Sequence, residues 1–236
     1  MSSPFHFKQF TIHQEKTAMK VGTDGVLLGA WIPIENPQSI LDIGAGTGLI
    51  ALMLAQRSDA QQIDALEIDA DSYEQAVENF ENSDWADRLF CYHASLKDFS
   101  DEMEEQYDLI VSNPPFYTDD YKSEDEKRSQ ARFEMALPFD DLIKYSAQLL
   151  SKNGHLALII PYKEEAKVVA ITRDNKLFPE KITRIRGTYQ SEIKRSLILF
   201  SSAEIIAEID ELVLEIARHQ YTDDYKALVK DFYWKL

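Results

Sequence analysis

The stretch Ser39-Ile40-Leu41-Asp42-Ile43-Gly44-Ala45-Gly46-Thr47-Gly48 decides how this chain folds. Its first half is apolar around one acid, its second half carries Gly44, Gly46 and Gly48, and a helix-like apolar run at 49–55 follows directly. The glycines therefore lie at a turn from a strand into a helix, where the backbone can closely approach a ligand. This order predicts a doubly wound α/β domain.

The spacing of the three glycines is G-x-G-x-G, whereas nicotinamide-binding turns have G-x-G-x-x-G. This difference favours S-adenosylmethionine as the ligand, because its amino-acid and ribose parts carry no pyrophosphate. A second apolar stretch at 62–67 ends in a carboxylate roughly 20 residues farther on, where a doubly wound fold places an acceptor for ribose hydroxyls. We assign that role to Glu67 and expect Ile68 to pack against the adenine ring.

Short apolar runs alternate with amphipathic ones along the rest of the chain, which is typical of a parallel sheet with helices on both faces. Seven strands are predicted, at 40–43, 62–67, 89–94, 107–112, 155–160, 181–187 and 195–201. Helices are predicted at 49–56, 71–82, 139–150 and 164–175. The order resembles the Rossmann-like class I methyltransferase fold, an α/β fold whose seven-stranded mixed sheet has an antiparallel last strand.

The chain of 236 residues is long enough for one sizeable domain. We assign 1–38 to an N-terminal lid segment and helix, 39–201 to the catalytic core, and 202–236 to a C-terminal extension. In that extension, the alternation at 211–216 favours an edge strand, although the longer stretch 205–217 can also be written as a helix. A short closing helix is predicted to begin after a capping Thr222.

Side chains near two helix ends predict their boundaries. Asp71 has the residue type of an N-cap, and Asp69 is expected to cap the same helix rather than contact a ligand. Asn153-Gly154 is predicted to end the helix before the fifth strand, since glycine readily adopts the backbone geometry found just past a helix.

A second motif, Asn113-Pro114-Pro115-Phe116, follows the fourth predicted strand and therefore lies at the carboxyl edge of the sheet, above the glycine turn. In an arbitrary protein such a segment is usually only a turn. Here its backbone presents the Asn113 side-chain oxygen and the Pro114 carbonyl as two acceptors for one planar NH2 group. These hydrogen bonds align a conjugated amine and favour its reactive tetrahedral form, as methyl transfer requires. Phe116, with Tyr117 as second candidate, is expected to stack on the acceptor ring.

The net charge of −16 is unfavourable for a nucleic-acid enzyme, because phosphate contacts normally supply much of the affinity. Any polyanion must therefore meet a local basic patch. We predict a basic rim around the active-site mouth, made of Lys122, Lys127, Arg128, Arg132, Lys181, Arg184, Arg186, Lys194 and Arg195. The alternative is that these charges pair with neighbouring Asp and Glu.

Composition also bounds location and cofactors. Cys91 is the only cysteine, so no disulfide can form within the chain, and a reducing cytoplasm fits. No stretch approaches the roughly 18 apolar residues of a membrane span, so no membrane partner is expected. The five histidines have no ligand spacing, so no metal is expected, and no obligate protein partner is evident.

The N-terminal stretch from Met19 to Trp31 contains a turn at Gly22 that leads into an apolar helix. One interpretation is a simple helix start. The other is a lid over the carboxylate of the methyl donor, for which the candidate contacts are Lys20, Thr23 and Asp24.

Several segments together resemble the bacterial tRNA1(Val) adenine-N6 methyltransferase family over nearly the whole chain. The glycine and Asn-Pro-Pro motifs are shared by many methyltransferases, so the resemblance depends on three other features. These are the block Met19–Trp31, Arg128-x-x-Ala131-Arg132 after the acceptor turn, and the ending Asp231-Phe232-Tyr233. It implies an enzyme that methylates N6 of adenine 37, next to the anticodon of a valine tRNA, and releases S-adenosylhomocysteine.

The resemblance also implies residue roles. The donor and acceptor roles of the family fall on Asp42, Gly44, Glu67, Asn113, Pro114 and Phe116. Asp42 is expected to position the methionine ammonium through the glycine loop. Many relatives have an Asp at the end of the third strand that binds the adenine amino group, and here Ser95 stands in its place.

Two alternatives remain open at this point. Glutamine N5-methyltransferases of proteins and guanine N2-methyltransferases of ribosomal RNA use the same Asn-Pro-Pro-aromatic turn, because all of them methylate a planar nitrogen. The other alternative is a non-catalytic protein that binds the donor, against which the intact Gly44, Glu67 and Asn113 argue.

Overall fold

The computed structural model describes residues 3–115 and 137–235. A two-stranded hairpin of β1 (Phe5–His6) and β2 (Thr11–Ile12) comes first. The strands of the main sheet are β3 (Ser39–Ile43), β4 (Gln62–Glu67), β5 (Leu89–His93), β6 (Tyr107–Ser112), β7 (Leu150–Pro161), β8 (Phe178–Thr188), β9 (Ile193–Ser201), β10 (Glu208–Ala217) and β11 (Gln220–Tyr221).

The helices within these ranges lie between and beyond the strands. They are α1 (Thr23–Trp31), α2 (Leu49–Arg57), α3 (Ala70–Glu81), α4 (Leu96–Glu102), α5 (Phe139–Leu149), α6 (Glu165–Asp174) and α7 (Asp223–Val229). A 3₁₀ turn, Tyr162–Glu164, connects β7 to α6. None of the helices in the described part of the chain is long and apolar enough to span a bilayer.

The main sheet has the strand order β11-β10-β8-β9-β7-β6-β3-β4-β5. All seven predicted strands are present, and β9 is antiparallel to both of its neighbours, as predicted. The predicted strand in the C-terminal extension is confirmed as β10, which pairs in parallel with β8, and the short β11 adds to its end. Because β3, β4, β5, β6 and β7 run in parallel, their carboxyl ends meet at one edge.

Consecutive side chains of the central strands point to opposite faces of the sheet and so divide the hydrophobic core into two layers. Ile40 and Leu109 belong to one buried apolar cluster, whereas Leu41 and Ile110, their neighbours in sequence, belong to the other. Successive side chains of a strand point to opposite faces, so both faces of the sheet are covered.

Helix α1 explains much of the N-terminal sequence block. A Cβ atom at Gly29 would lie 2.8 Å from the sulfur of Met53, and one at Gly25 would lie 3.2 Å from a methyl carbon of Leu49. Two glycines one helical turn apart therefore let α1 pack closely on α2. This segment is part of the buried core as well as the start of a helix.

Two predicted boundaries differ from the structure. The N-cap of α3 is Asp69, whose Oδ1 accepts from Ser72 N at 2.9 Å, so the expectation for Asp69 is confirmed and that for Asp71 was wrong. Asn153-Gly154 lies inside β7 and ends no helix, since α5 already stops at Leu149. A Cβ at Gly154 would lie 2.7 Å from the Tyr107 carbonyl oxygen, so close strand packing requires this glycine.

The chain ends are joined to each other. Lys8 N donates to the Phe232 carbonyl at 2.9 Å, and the Trp234 indole donates to the Phe7 carbonyl at 3.0 Å. The rings of Phe7 and Tyr233 lie 5.6 Å apart between centroids. The Phe-Tyr ending therefore closes the N-terminal hairpin onto the domain, and α7 begins at the predicted cap Thr222.

Candidate active site at the carboxyl edge of the sheet

Strand register brings the two sequence motifs together. Ile43 at the end of β3 pairs with Ser112 at the end of β6 on one side and with Leu66 in β4 on the other. The Ser112 hydroxyl also donates to the Ile43 carbonyl at 2.8 Å. Gly44 and Asn113, each one residue beyond these partners, therefore start neighbouring turns at the same edge, with the end of β4 beside them.

The three glycines of the turn have different reasons to be glycine. All three have positive φ, 75° at Gly44, 58° at Gly46 and 78° at Gly48, a region that side chains disfavour. A Cβ at Gly44 or Gly46 would meet no heavy atom within 4 Å, whereas one at Gly48 would overlap the ring of Phe80. Two glycines therefore leave an open face toward a ligand, and the third allows the turn to pack on α3.

Glu67 closes the glycine turn from the neighbouring strand. Its Oε2 accepts from Gly46 N at 2.8 Å, and its Oε1 accepts from Ile68 N at 2.8 Å and Asp69 N at 2.9 Å. A carboxylate has about four lone-pair sites, so it can still accept from a ligand hydroxyl. Beside it Ile68 is 42% exposed, an apolar side chain open to a planar ring.

Asp42 lies beneath the turn and is fully buried. Its Oδ2 accepts from Ala51 N at 3.1 Å, in the first turn of α2, where the N-cap Gly48 has no side chain to do so. Its Oδ1 has no hydrogen-bond partner within the described ranges. Burial raises the pKa of Asp42 to about 7, since removal from water disfavours the charged form.

Two of the three candidate lid residues, Lys20 and Asp24, are held by protein partners. The Lys20 ammonium donates to the carbonyls of Gln14 and Thr17, so it fastens its own segment. Asp24, in the first turn of α1, accepts from Arg195 Nε at 2.8 Å. Thr23 is the first residue of α1. Contacts of Lys20, Thr23 and Asp24 with a donor carboxylate stay predictions.

Asn79 of α3 joins the N-terminal segment to the glycine turn. Its Oδ1 accepts from His13 N at 2.9 Å, and its Nδ2 donates to the His13 and Thr47 carbonyls, both at 2.9 Å. Gln75, one turn earlier, accepts from Lys16 N at 3.1 Å. We did not predict these roles; the available signal was a pair of amides four residues apart on the apolar face of an amphipathic helix.

Ser95 serves as the N-cap of α4. Its Oγ accepts from Asp98 N at 3.1 Å and donates to the Asp98 carboxylate at 2.6 Å. The nearby His93 stacks on Tyr73 with 5.2 Å between ring centroids. A contact between Ser95 and the donor adenine stays a prediction.

The acceptor motif is described in part. Asn113 is half-buried, Pro114 is buried and Pro115 is exposed. Phe116 and Tyr117 lie outside the described residues, as do four candidate RNA contacts, Lys122, Lys127, Arg128 and Arg132.

All five cations that we predicted on the late strands have a carboxylate partner. The shortest pairs are Arg184 with Glu165 and Arg186 with Glu211, both at 2.7 Å. The others are Lys181 with Asp210 at 3.7 Å, Lys194 with Glu192 at 3.8 Å and Arg195 with Asp24 at 2.8 Å. The structure therefore agrees with the alternative that these charges pair with Asp and Glu. Contact of these five residues with RNA stays a prediction.

Metal binding has no support in the described part of the chain. In residues 3–115 and 137–235 no three His, Cys, Asp or Glu side chains are grouped so that they could hold a metal ion.

Comparison with known proteins agrees with this geometry. The family model "Methyltransferase small domain" matches residues 19–174. A tRNA1(Val) (adenine(37)-N6)-methyltransferase of Flavobacterium johnsoniae is 64% identical over 234 residues, 98% of this chain and 100% of that protein. One of Christiangramia forsetii is 63% identical over 238 residues, 100% of this chain and 99% of that protein.

Solved structures support the fold. A predicted O-methyltransferase from Agrobacterium tumefaciens superposes with a TM-score of 0.67 at 20% identity, over 87% of this chain and 95% of that one. This likeness confirms the predicted class I architecture. The family model and the two relatives show that the chain belongs to the tRNA1(Val) (adenine(37)-N6)-methyltransferases, a family with the methyltransferase small domain.

Proposed function

We propose that this chain methylates N6 of an adenine in tRNA with S-adenosylmethionine as donor, and that the target is adenine 37 of tRNA1(Val), as named for its relatives. The observation that carries the proposal is the register that sets Asn113 beside the Gly44 turn. Donor and acceptor motifs on adjacent strand ends are what a direct transfer between two bound molecules requires. The reaction is proposed to take place in the cytoplasm, without a metal or an obligate protein partner.

The donor side of the edge fits S-adenosylmethionine. The open faces of Gly44 and Gly46 admit a ligand, Glu67 offers its remaining lone pair to a ribose hydroxyl, and Ile68 offers an apolar surface to the adenine. The Oδ1 of Asp42 is buried and has no partner among the described residues, and a cationic ligand bound above the turn favours the ionised form of this carboxyl group. When bound there, S-adenosylmethionine supplies a methyl group on a positively charged sulfur.

The acceptor side has to prepare a poor nucleophile. The lone pair of an adenine amino group is delocalised into the ring, so the nitrogen reacts only when it becomes tetrahedral. Asn113 Oδ1 and the Pro114 carbonyl accept one amino proton each, which holds the nitrogen in that form and in line with the methyl group. No strong base is needed, because the nitrogen becomes positively charged only as the new N–C bond forms, and the proton that it then loses passes to water.

The test uses labelled donor and unmodified substrates. We expect transfer of label to a tRNA1(Val) transcript, no transfer when adenine 37 is replaced by guanine, and N6-methyladenosine as the product by mass spectrometry. Ribosomal RNA and release-factor pools are the comparison substrates. Labelling of either pool, with none of tRNA, would replace this function by guanine N2 or glutamine N5 methylation.

A further inference from the structure

Tyr162 occupies the strand end next to the acceptor turn. Strand β7 is the neighbour of β6 on the side away from the glycine turn, and its Leu158 pairs with Ser112. Tyr162 directly follows β7, four residues beyond Leu158, so it lies past the same edge as Asn113, one strand to the side and about 10 Å farther along the strand direction. The proposed donor elements β3 and β4 lie on the opposite side of β6. Tyr162 is therefore on the side from which an acceptor has to enter.

The ring of Tyr162 is exposed, yet its surroundings are ordered. It is 38% exposed, and Arg184 Cζ lies 5.4 Å from its centroid. Glu165 holds this guanidinium through Nε at 3.2 Å and Nη2 at 2.7 Å. The fully buried Ser196 in turn donates to Glu165 at 2.5 Å. One cation–π contact and three hydrogen bonds thus form a rigid support beside the ring.

Lys163 adds a charge that is available to a ligand. It follows Tyr162 in the 3₁₀ turn and is exposed. Unlike the five late-strand cations, Lys163 has no carboxylate within 4 Å anywhere in the described part of the chain. An aromatic face next to an exposed cation is the combination that binds single-stranded nucleic acid, by stacking on the base and attraction to the phosphate.

We propose that Tyr162 stacks on a nucleobase adjacent to the methylated adenine, and that Lys163 contacts a phosphate of the same RNA loop. Arg184 and Glu165 are positioning residues that fix the ring. This inference rests on the proposed function, because it assigns residues that bind the RNA substrate of that site. It also gives an acidic protein a way to hold RNA that depends more on stacking than on charge.

The first test separates stacking from charge. Tyr162→Ala should weaken binding of an anticodon stem-loop by about five- to a hundredfold, while Tyr162→Phe binds like the parent because it keeps the ring. The slope of log affinity against log salt should be unchanged in Tyr162→Ala and smaller by about 0.7 in Lys163→Gln. Phe90→Ala is the matched control, since it removes an exposed ring, 45% exposed, on the outermost strand β5. Affinity for S-adenosylmethionine should be the same in all variants.

The second test identifies the base. A stem-loop with an abasic site on one side of adenine 37 should lose as much affinity for the parent as Tyr162→Ala does. The Tyr162→Ala variant should bind that abasic RNA with nearly the same affinity as the parent does. The inference would be overturned if the affinity losses from the abasic site and from Tyr162→Ala were fully additive at both positions flanking adenine 37. It would also be overturned if Tyr162→Ala bound like the parent. In either case, methylation of tRNA by the parent protein would leave the proposed function intact. A parent that methylates no tRNA would overturn both.

Discussion

The carboxylate of Glu67 accepts a hydrogen bond from Gly46 N at 2.8 Å and so connects the end of β4 to the glycine turn. Its other oxygen accepts two more backbone N–H groups, from Ile68 and Asp69. One side chain thereby sets the spacing between two strand ends that the proposed donor has to bridge. The mutations that follow test this arrangement and the acceptor side next to it.

Glu67→Ala should weaken S-adenosylmethionine binding by about 1–3 kcal/mol, because it removes a charged acceptor for ligand hydroxyls and loosens the turn. Isothermal titration calorimetry measures the change. Glu81→Ala, which removes an exposed carboxylate at the end of α3, is the control and should bind like the parent. Equal affinity in the two variants would remove Glu67 from the donor site.

Asn113→Ala should reduce the single-turnover rate of tRNA methylation by about two orders of magnitude or more, since it deletes one of two acceptors for the reacting amine. Donor affinity should remain within about twofold, because the donor motifs lie on other strands. A parallel loss of donor binding would show that the turn at Asn113 has a structural role instead.

Asp42→Asn should change how stability depends on pH. The raised pKa of about 7 means that the folded protein keeps a proton which the unfolded chain releases near pH 4. The parent should therefore lose up to about 1.4 kcal/mol of unfolding free energy per pH unit between pH 4 and 7, relative to the variant, and nothing further above pH 7. Urea unfolding of both proteins at several pH values measures the difference. A difference that does not vary across this window would contradict a protonated Asp42.

Gly44→Ala and Gly48→Ala should separate ligand approach from packing. Both residues have positive φ, which costs an alanine about 1 kcal/mol, but only Gly48 is packed against Phe80. Gly48→Ala should thus lose about 2–4 kcal/mol of stability and regain part of it with Phe80→Leu. Gly44→Ala should be more stable than Gly48→Ala but bind the donor less tightly. Thermal unfolding and calorimetry decide between these outcomes.

Arg128→Gln should reduce the salt dependence of tRNA binding if the predicted basic rim includes this residue, because one phosphate contact is lost. Arg173→Gln is the matched control: Arg173 is exposed in the last turn of α6 and lies outside the predicted rim, so the slope should hardly change. Filter binding across a salt titration measures both. The same slope for Arg128→Gln as for the parent would place the RNA elsewhere.

The sequence by itself determined the parts of the protein that depend on local pattern. The seven core strands were predicted from short apolar runs that alternate with amphipathic ones. A strand can be recognised in this way because its pattern of apolar residues involves only consecutive positions in the sequence. The glycine turn and the Asn-Pro-Pro segment were recognisable because glycine and proline have backbone preferences that differ from those of other residues. Helix α4 escaped prediction, since its seven residues bury only Leu96 and Phe99 and show little periodicity.

Tertiary structure decided everything that depends on distant partners. Arg195 and Asp24, 171 positions apart, meet only because β9 lies beside the start of α1, so no local pattern shows that their charges pair. Asn79 acquires its role from contacts with His13 and Thr47 that exist only after folding. Tyr162 likewise gains its place beside the acceptor turn from the order of β6 and β7 in the sheet. The spacing of residues in the sequence specifies helices and strands. The connections that set the order of the strands in the sheet specify which distant side chains come into contact.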